Sequence, residues 1–208
     1  MKGSVKLIGI IDYGVGNIFS LQSSFKSLGA DIVFTGDKEV IKKCDKLILP
    51  GVGAFSDAAE KLRSTGLDEV VKQEAQRGKY IMGICLGMQM MFEKSYEYGE
   101  HDGLSLINGK VKPLSDVCKN VKIPHMGWNA LNFKNGKSPI FKYINEGDYV
   151  YFVHSYFATD CEEFTIATCE YEAEVTAAVQ KDNVFALQFH PEKSGNVGLR
   201  ILKAFCDM

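Results

Sequence analysis

The run Gly83-Ile84-Cys85-Leu86-Gly87 constrains this chain more than any other five residues. A small residue two places before and two places after a thiol lets the backbone turn sharply from a strand into a helix, which lifts the sulfur out of the sheet. That is the geometry of a nucleophile elbow. Lys79-Tyr80-Ile81-Met82 reads as a buried strand and Met88-Gln89-Met90-Met91-Phe92 as the apolar helix that follows, so Cys85 is predicted at the junction. The unsatisfied N–H groups of a helix start favour a thiolate there, and a nearby imidazole can take the proton. A lone Cys in an apolar stretch is also a common small buried hydrophobe, and the five residues by themselves leave both readings open.

A second element lies far downstream. Val184-Phe185-Ala186-Leu187-Gln188-Phe189 reads as a core strand running into His190, with Pro191 stopping the ladder and Glu192 two positions beyond the histidine. A histidine at a strand end with a carboxylate close by is how a general base is presented and oriented. A purely structural role for His190 would leave the elbow unexplained.

The pattern between these elements predicts an α/β chain. Val5 to Ile11 reads as a buried first strand, Asn17 as the N-cap of a helix through Leu28, and Gly29 as its end. Ile32-Val33-Phe34 and Lys46-Leu47-Ile48-Leu49 read as further strands, and Ser56 to Gln76 has helical spacing broken at Gly66. Parallel strands with crossover helices satisfy this alternation. After about residue 105 short strands dominate: Gly109 to Lys112, Val121 to Ile123, Asn129 to Leu131, Tyr149 to Val153, Thr165 to Thr168 and Val175 to Val179. A last helix from about Gly195 to Cys206 restores the α/β pattern. One domain over residues 1–208 with an antiparallel extension is expected.

Composition narrows the function classes. Lys and Arg number 24 against 26 Asp and Glu, a formal charge of -2 with no long run of either sign, so no electrostatic footprint for nucleic acid or an anionic membrane is expected. The six cysteines, Cys44, Cys85, Cys118, Cys161, Cys169 and Cys206, form no Cys-x-x-Cys pair, which argues against a zinc site or a disulfide scaffold and fits reduced thiols in the cytoplasm. Met1 to Leu7 does not read as a signal segment, and no apolar stretch has the length of a membrane span.

Attack on a carboxamide builds charge on its oxygen, which needs N–H donors already in place. Pro50-Gly51-Val52-Gly53-Ala54-Phe55 follows the third strand, where open α/β sheets place their ligands, and its glycines let the backbone approach a substrate. A plain Gly-rich turn is the other reading. A phosphate loop lacks the Gly-Lys-Ser/Thr or Gly-x-Gly-x-x-Gly that would support it.

Gly51-Val52-Gly53, Gly83 to Gln89 and Gln188-Phe189-His190-Pro191-Glu192, in this order, resemble the class I, triad-type glutamine amidotransferase family. More narrowly, Pro124-His125-Met126-Gly127-Trp128-Asn129, Tyr151 to Tyr156 and His190 to Ser194 resemble the family of glutaminase subunits of imidazole glycerol phosphate synthases. The resemblance spans essentially the whole chain and implies a flavodoxin-like open sheet. It also implies a Cys85-His190-Glu192 triad that hydrolyses glutamine, with no metal or organic cofactor. Ammonia would pass to a (β/α)8 cyclase subunit as heterodimer partner, with no nucleic acid or membrane involved. On the same basis the backbone at Val52 and Leu86 is expected to form the oxyanion hole. Gly51, Gly53, Gln89, Glu97, His154, Ser155 and Tyr156 would bind glutamine, and Met126, Trp128, Asn129 and Lys193 would face the cyclase. Low basal turnover, raised when the partner turns a peptide near Gly51-Val52, is a further implication. A paralogous glutaminase feeding an amidino-sugar synthase, a cysteine hydrolase on a related sheet and a non-catalytic subunit are the alternatives, the last opposed by the intact Cys85, His190 and Glu192.

Overall fold

Strands that are apolar at every position need cover on both faces. In the computed structural model, which describes residues 6–14 and 18–208, they receive it. The first half of the chain alternates β1 (Leu7–Ile11), α1 (Phe19–Ser27), β2 (Asp31–Thr35), α2 (Lys38–Lys43), β3 (Lys46–Leu49), α3 (Phe55–Ser64), α4 (Leu67–Gln76), β4 (Tyr80–Ile84) and α5 (Leu86–Gln89). The second half is β5 (Lys94–Ser95), β6 (His101–Asp102), β7 (Lys110–Pro113), β8 (His125–Ala130), β9 (Asn132–Phe133), β10 (Tyr149–His154), β11 (Tyr156–Thr159), β12 (Thr165–Tyr171), β13 (Ala173–Lys181), β14 (Val184–Leu187) and α6 (Gly195–Asp207).

Among the described residues an eight-stranded sheet runs in the order β2-β1-β3-β4-β14-β13-β12-β9. Its first five strands are parallel, and β13, β12 and β9 extend it antiparallel. Period-2 alternation sorts the side chains. Ile8, Ile10, Ile48, Met82, Phe185 and Leu187 point to one core, with Phe25 of α1 and Phe205 of α6. Ile11, Leu47, Leu49, Ile81, Val184 and Ala186 point to the other, under Ile41, Leu62 and Val71 of α2, α3 and α4. The order reverses between β1 and β3, so their C-terminal ends open the crevice where such sheets bind ligands. Tyr13, just past β1, donates its hydroxyl to the Pro50 carbonyl just past β3 at 2.7 Å. Two smaller sheets, β10-β8 and β11-β7-β5-β6, stand beside this crevice.

The structure follows most of the expected elements and corrects several. Val121 to Ile123 is irregular rather than a strand. Trp128, just before the expected Asn129 to Leu131 strand, sits within β8. The apolar run after the elbow is helical only to Gln89, because the carbonyls of Met90, Met91 and Glu93 accept from the Gly103–Ile107 loop instead of continuing a helical ladder. The expected Asn17 cap and the Val5 end of the first strand lie outside the described residues. α2 was not expected. It is short and mostly charged, and its start is held by Asp37, whose carboxylate accepts from Glu39 N at 2.8 Å and Val40 N at 3.2 Å. No helix among the described residues is long and apolar enough to cross a membrane.

Candidate active site

The elbow is built by close packing of backbone. Cys85 stands at φ 56 and ψ -113, an unfavourable conformation for a residue with a Cβ. A methyl group on Gly83 would meet Gly87 O at 2.7 Å, and one on Gly87 would collide with the Leu49 carbonyl of the neighbouring strand. Both glycines are therefore required by space rather than by flexibility. Cys85 N donates to Leu187 O at 2.8 Å, tying the elbow to the strand that delivers His190.

His190 follows β14, and Pro191–Lys193 forms a 3-10 turn that swings Glu192 back towards the ring. The His190 Nδ1 to Glu192 Oε1 distance is 2.7 Å, with both side chains almost wholly buried. Burial by itself opposes a charged imidazole. The nearby Cys85 sulfur and the Glu192 carboxylate outweigh it and raise the His190 pKa to about 9. Ser194, also buried, donates to His190 O at 2.6 Å and accepts from Tyr151 N at 2.9 Å, which fixes the turn against β10.

Cys85 and His190 open into a cleft of about 470 Å³ that is also lined by Val52, Gly53, Leu86, Gln89, Glu97, His154, Ser155, Tyr156 and Lys193. The structure thus brings together nearly all the residues expected there from sequence. Gly51 is the exception. It is buried behind the elbow, where an added methyl would meet Gly87 N at 2.7 Å and Leu86 Cβ at 2.9 Å, so it is a packing residue and not part of the cleft wall. Leu86 opens α5, so its N–H is one that the helix itself cannot satisfy.

The opposite wall is held by hydrogen bonds. Gln89 spends its amide nitrogen on Tyr156 O at 3.1 Å and Gln188 Oε1 at 3.0 Å, which leaves its oxygen as the group for a ligand. Tyr156 O also accepts from His154 Nδ1 at 2.8 Å, so His154 carries its proton on Nδ1 and receives at Nε2 from His125 Nδ1 at 3.1 Å. Burial pushes the His154 pKa down to about 3 and the His125 pKa down to about 4. His125 is stacked between Phe152 and Tyr171, at centroid distances of 4.7 and 3.9 Å. Glu97 accepts from Phe55 N at 2.6 Å, and burial raises its carboxyl above the usual range.

Met126 and Trp128 are 61% and 54% exposed and two residues apart on β8, hence on one face. Lys193 is exposed, its Nζ 6.0 Å from the centre of the Tyr151 ring. Asn129 is half-buried beside them. Its amide donates to Glu170 O of β12 at 2.7 Å. Sequence reasoning missed Ser194, His125 and the Val153 carbonyl 3.9 Å from the Cys85 sulfur. Ser194 was in view in the His-Pro-Glu-Lys-Ser run, whereas nothing local signals the pairing of His125 with His154, 29 positions away.

The family model described as glutamine amidotransferase class-I matches residues 9–207. The imidazole glycerol phosphate synthase subunit HisH of Caldanaerobacter subterraneus is 51% identical over 97% of this chain and 98% of its own length. The chain belongs to the class-I glutamine amidotransferase family, among its HisH members. HisH of Lactococcus lactis is 49% identical, over 98% of this chain and 99% of its own. More distant amidotransferases share the fold. A crystal structure of a glutamine amidotransferase superposes with a TM-score of 0.74 at 17% identity, covering 96% of this chain and 97% of its own. PurLQS from Thermotoga maritima gives 0.73 at 18% identity, covering 97% and 98%.

Proposed function

We propose that this chain is the glutaminase subunit of an imidazole glycerol phosphate synthase, acting through Cys85, His190 and Glu192. The observation that carries the reading is the His190 ring, hydrogen-bonded to Glu192 at 2.7 Å, sharing with Cys85 a cleft that also holds Gln89 and Glu97. With the Cys85 proton already held on His190, the sulfur attacks the side-chain carboxamide carbon of glutamine. The N–H groups of Leu86 and Val52 receive the developing oxyanion. His190 then passes its proton to the departing nitrogen, so ammonia leaves and a γ-glutamyl thioester remains. Water, deprotonated by His190, cleaves the thioester, glutamate departs and the thiol is restored. Glu192 holds the ring and balances its charge throughout.

Gln89 and Glu97 bind the amino-acid end of glutamine, with His154, Ser155, Tyr156 and Gly53 along the wall. Residues 1–208 act as one unit in the cytoplasm. Ammonia passes to a (β/α)8 cyclase subunit that docks over Met126, Trp128 and Lys193. That partner forms imidazole glycerol phosphate and 5-aminoimidazole-4-carboxamide ribonucleotide. The HisH relatives support this acceptor over an amidino-sugar synthase.

The test is glutamate release from glutamine by wild type and Cys85→Ala, with and without the cyclase and its ribonucleotide ligand. Turnover that requires both Cys85 and the liganded cyclase is the expected result. Cys85-dependent turnover stimulated only by a different synthase would reassign the acceptor, and no turnover under any condition would overturn the reading.

A further inference from the structure

The cleft rim beside Glu97 carries a side chain that the reaction scheme leaves without a task. Tyr98 is 88% exposed, yet it lines the cleft and is held at φ 53, in the left-handed region that a bulky residue adopts only at a cost. Its ring stands edge-on to Tyr156, with centroids 6.3 Å apart and planes at 68°. The Tyr156 hydroxyl is pushed above its ordinary pKa by burial and by the nearness of Glu97 and Tyr98, which places the carboxylate and both rings in one corner. Glu97 is itself fixed there by the Phe55 N–H. Around the cleft the charged lining residues besides Glu97 are His190 and Lys193, both basic, so a ligand's cationic group has one carboxylate to approach. A carboxylate flanked by aromatic rings is the chemistry that receives an ammonium group, through the ion pair and the negative ring face.

We infer that Tyr98 is a substrate-specificity residue: braced by Tyr156, its ring packs on the α-ammonium of the glutamine held at Glu97. The inference rests on reading the cleft as a glutamine site. It gives Tyr98 a role in selecting α-amino acids over carboxamides that lack the amine, and none in the bond-breaking steps.

The experiment compares Tyr98→Phe and Tyr98→Leu in the assembled synthase, with glutamine and with 4-carbamoylbutanoate, which has the same carboxamide and carboxylate but no α-ammonium. Phe keeps the ring face and Leu keeps apolar bulk without it. With glutamine, KM is expected to stay unchanged in Tyr98→Phe and to rise about fivefold in Tyr98→Leu, with kcat within about twofold of wild type. With the deaminated analogue the two variants should be indistinguishable. Equal KM for glutamine in both variants would overturn the proposal, as would an equal loss on both substrates. Failure of the underlying glutamine reading looks different, because the wild-type synthase would then show no Cys85-dependent glutamate release.

Discussion

Two histidines face the same cleft, and the protein treats them in opposite ways. His190 has a carboxylate at 2.7 Å and a thiol on its other side, and its pKa rises to about 9. His154 has a backbone carbonyl and another neutral imidazole as partners, and its pKa falls to about 3. Both are buried, so burial alone does not decide the charge state. The partner does: an anion outweighs desolvation, and a carbonyl does not. One wall of the cleft is thereby equipped to move protons, and the other holds a fixed, neutral hydrogen-bond chain from Gln89 through Tyr156 to His125.

The largest expected effect comes from removing the thiol. Cys85→Ala should lower glutamate release by at least about 10⁴-fold, measured in the assembled complex. It should also remove one of the groups that holds the proton on His190. A group whose folded pKa lies above its unfolded value of 6.5 contributes stability that is complete below that pH and lost as pH climbs through about 9. For His190 the contribution is on the order of 3 kcal/mol. Denaturant unfolding between pH 6.5 and 9 should show a shallower alkaline decline in Cys85→Ala, because Glu192 alone remains. An unaltered decline would mean that the thiol does not hold the proton.

Glu192→Gln sharpens the contrast from the other side. The amide retains shape but not charge, and turnover should fall about 10²-fold to 10⁴-fold. Its alkaline stability decline should also flatten. If the Gln variant keeps both turnover and pH dependence, His190 is charged for some other reason and the comparison fails.

The neutral wall predicts the reverse pH limb. His154 and His125 stay unprotonated in the fold to about pH 3 and 4, whereas the unfolded chain binds protons near 6.5. Their contribution is therefore complete above 6.5 and lost as pH falls, each on the order of a few kcal/mol. His125→Phe keeps the stacking with Phe152 and Tyr171 but removes the donor to His154. It should cost about 1–2 kcal/mol at neutral pH and make the acid limb shallower. Turnover should change by less than about tenfold, since no proton in the reaction passes through this ring.

How much of this was legible in sequence depends on how local the determinant is. Gly83, Cys85 and Gly87 lie within one five-residue turn, and His190 and Glu192 are two apart, so the reactive groups could be read directly. Strands such as Val184–Leu187, covered on both faces, announce themselves by unbroken apolar runs. The neutral wall was not legible, because His125 meets His154 only through the pairing of β8 with β10. Trp128 fell outside the expected Asn129 to Leu131 strand because Gly127 before it is a poor strand former, although β8 starts at His125. Gly51 carried the right residue type for a ligand loop, but its requirement is the closeness of Gly87, a contact no local pattern encodes.

The smallest effects separate two neighbours on the ribbon that forms the neutral wall. Trp128 projects outward and Asn129 ties β8 to Glu170 of β12, so their alanine variants should fail in different assays. Trp128→Ala should weaken binding of the cyclase about tenfold while leaving thermal stability unchanged, as expected of an exposed aromatic anchor. Asn129→Ala should lower stability by about 1 kcal/mol, the cost of one lost hydrogen bond, and leave affinity within about twofold. Titration calorimetry for the first and denaturant unfolding for the second would read the two outcomes independently. Loss of affinity in Asn129→Ala without loss of stability would mean that the amide turns outward to meet the partner, and that the ribbon rearranges on docking instead of serving as a rigid wall.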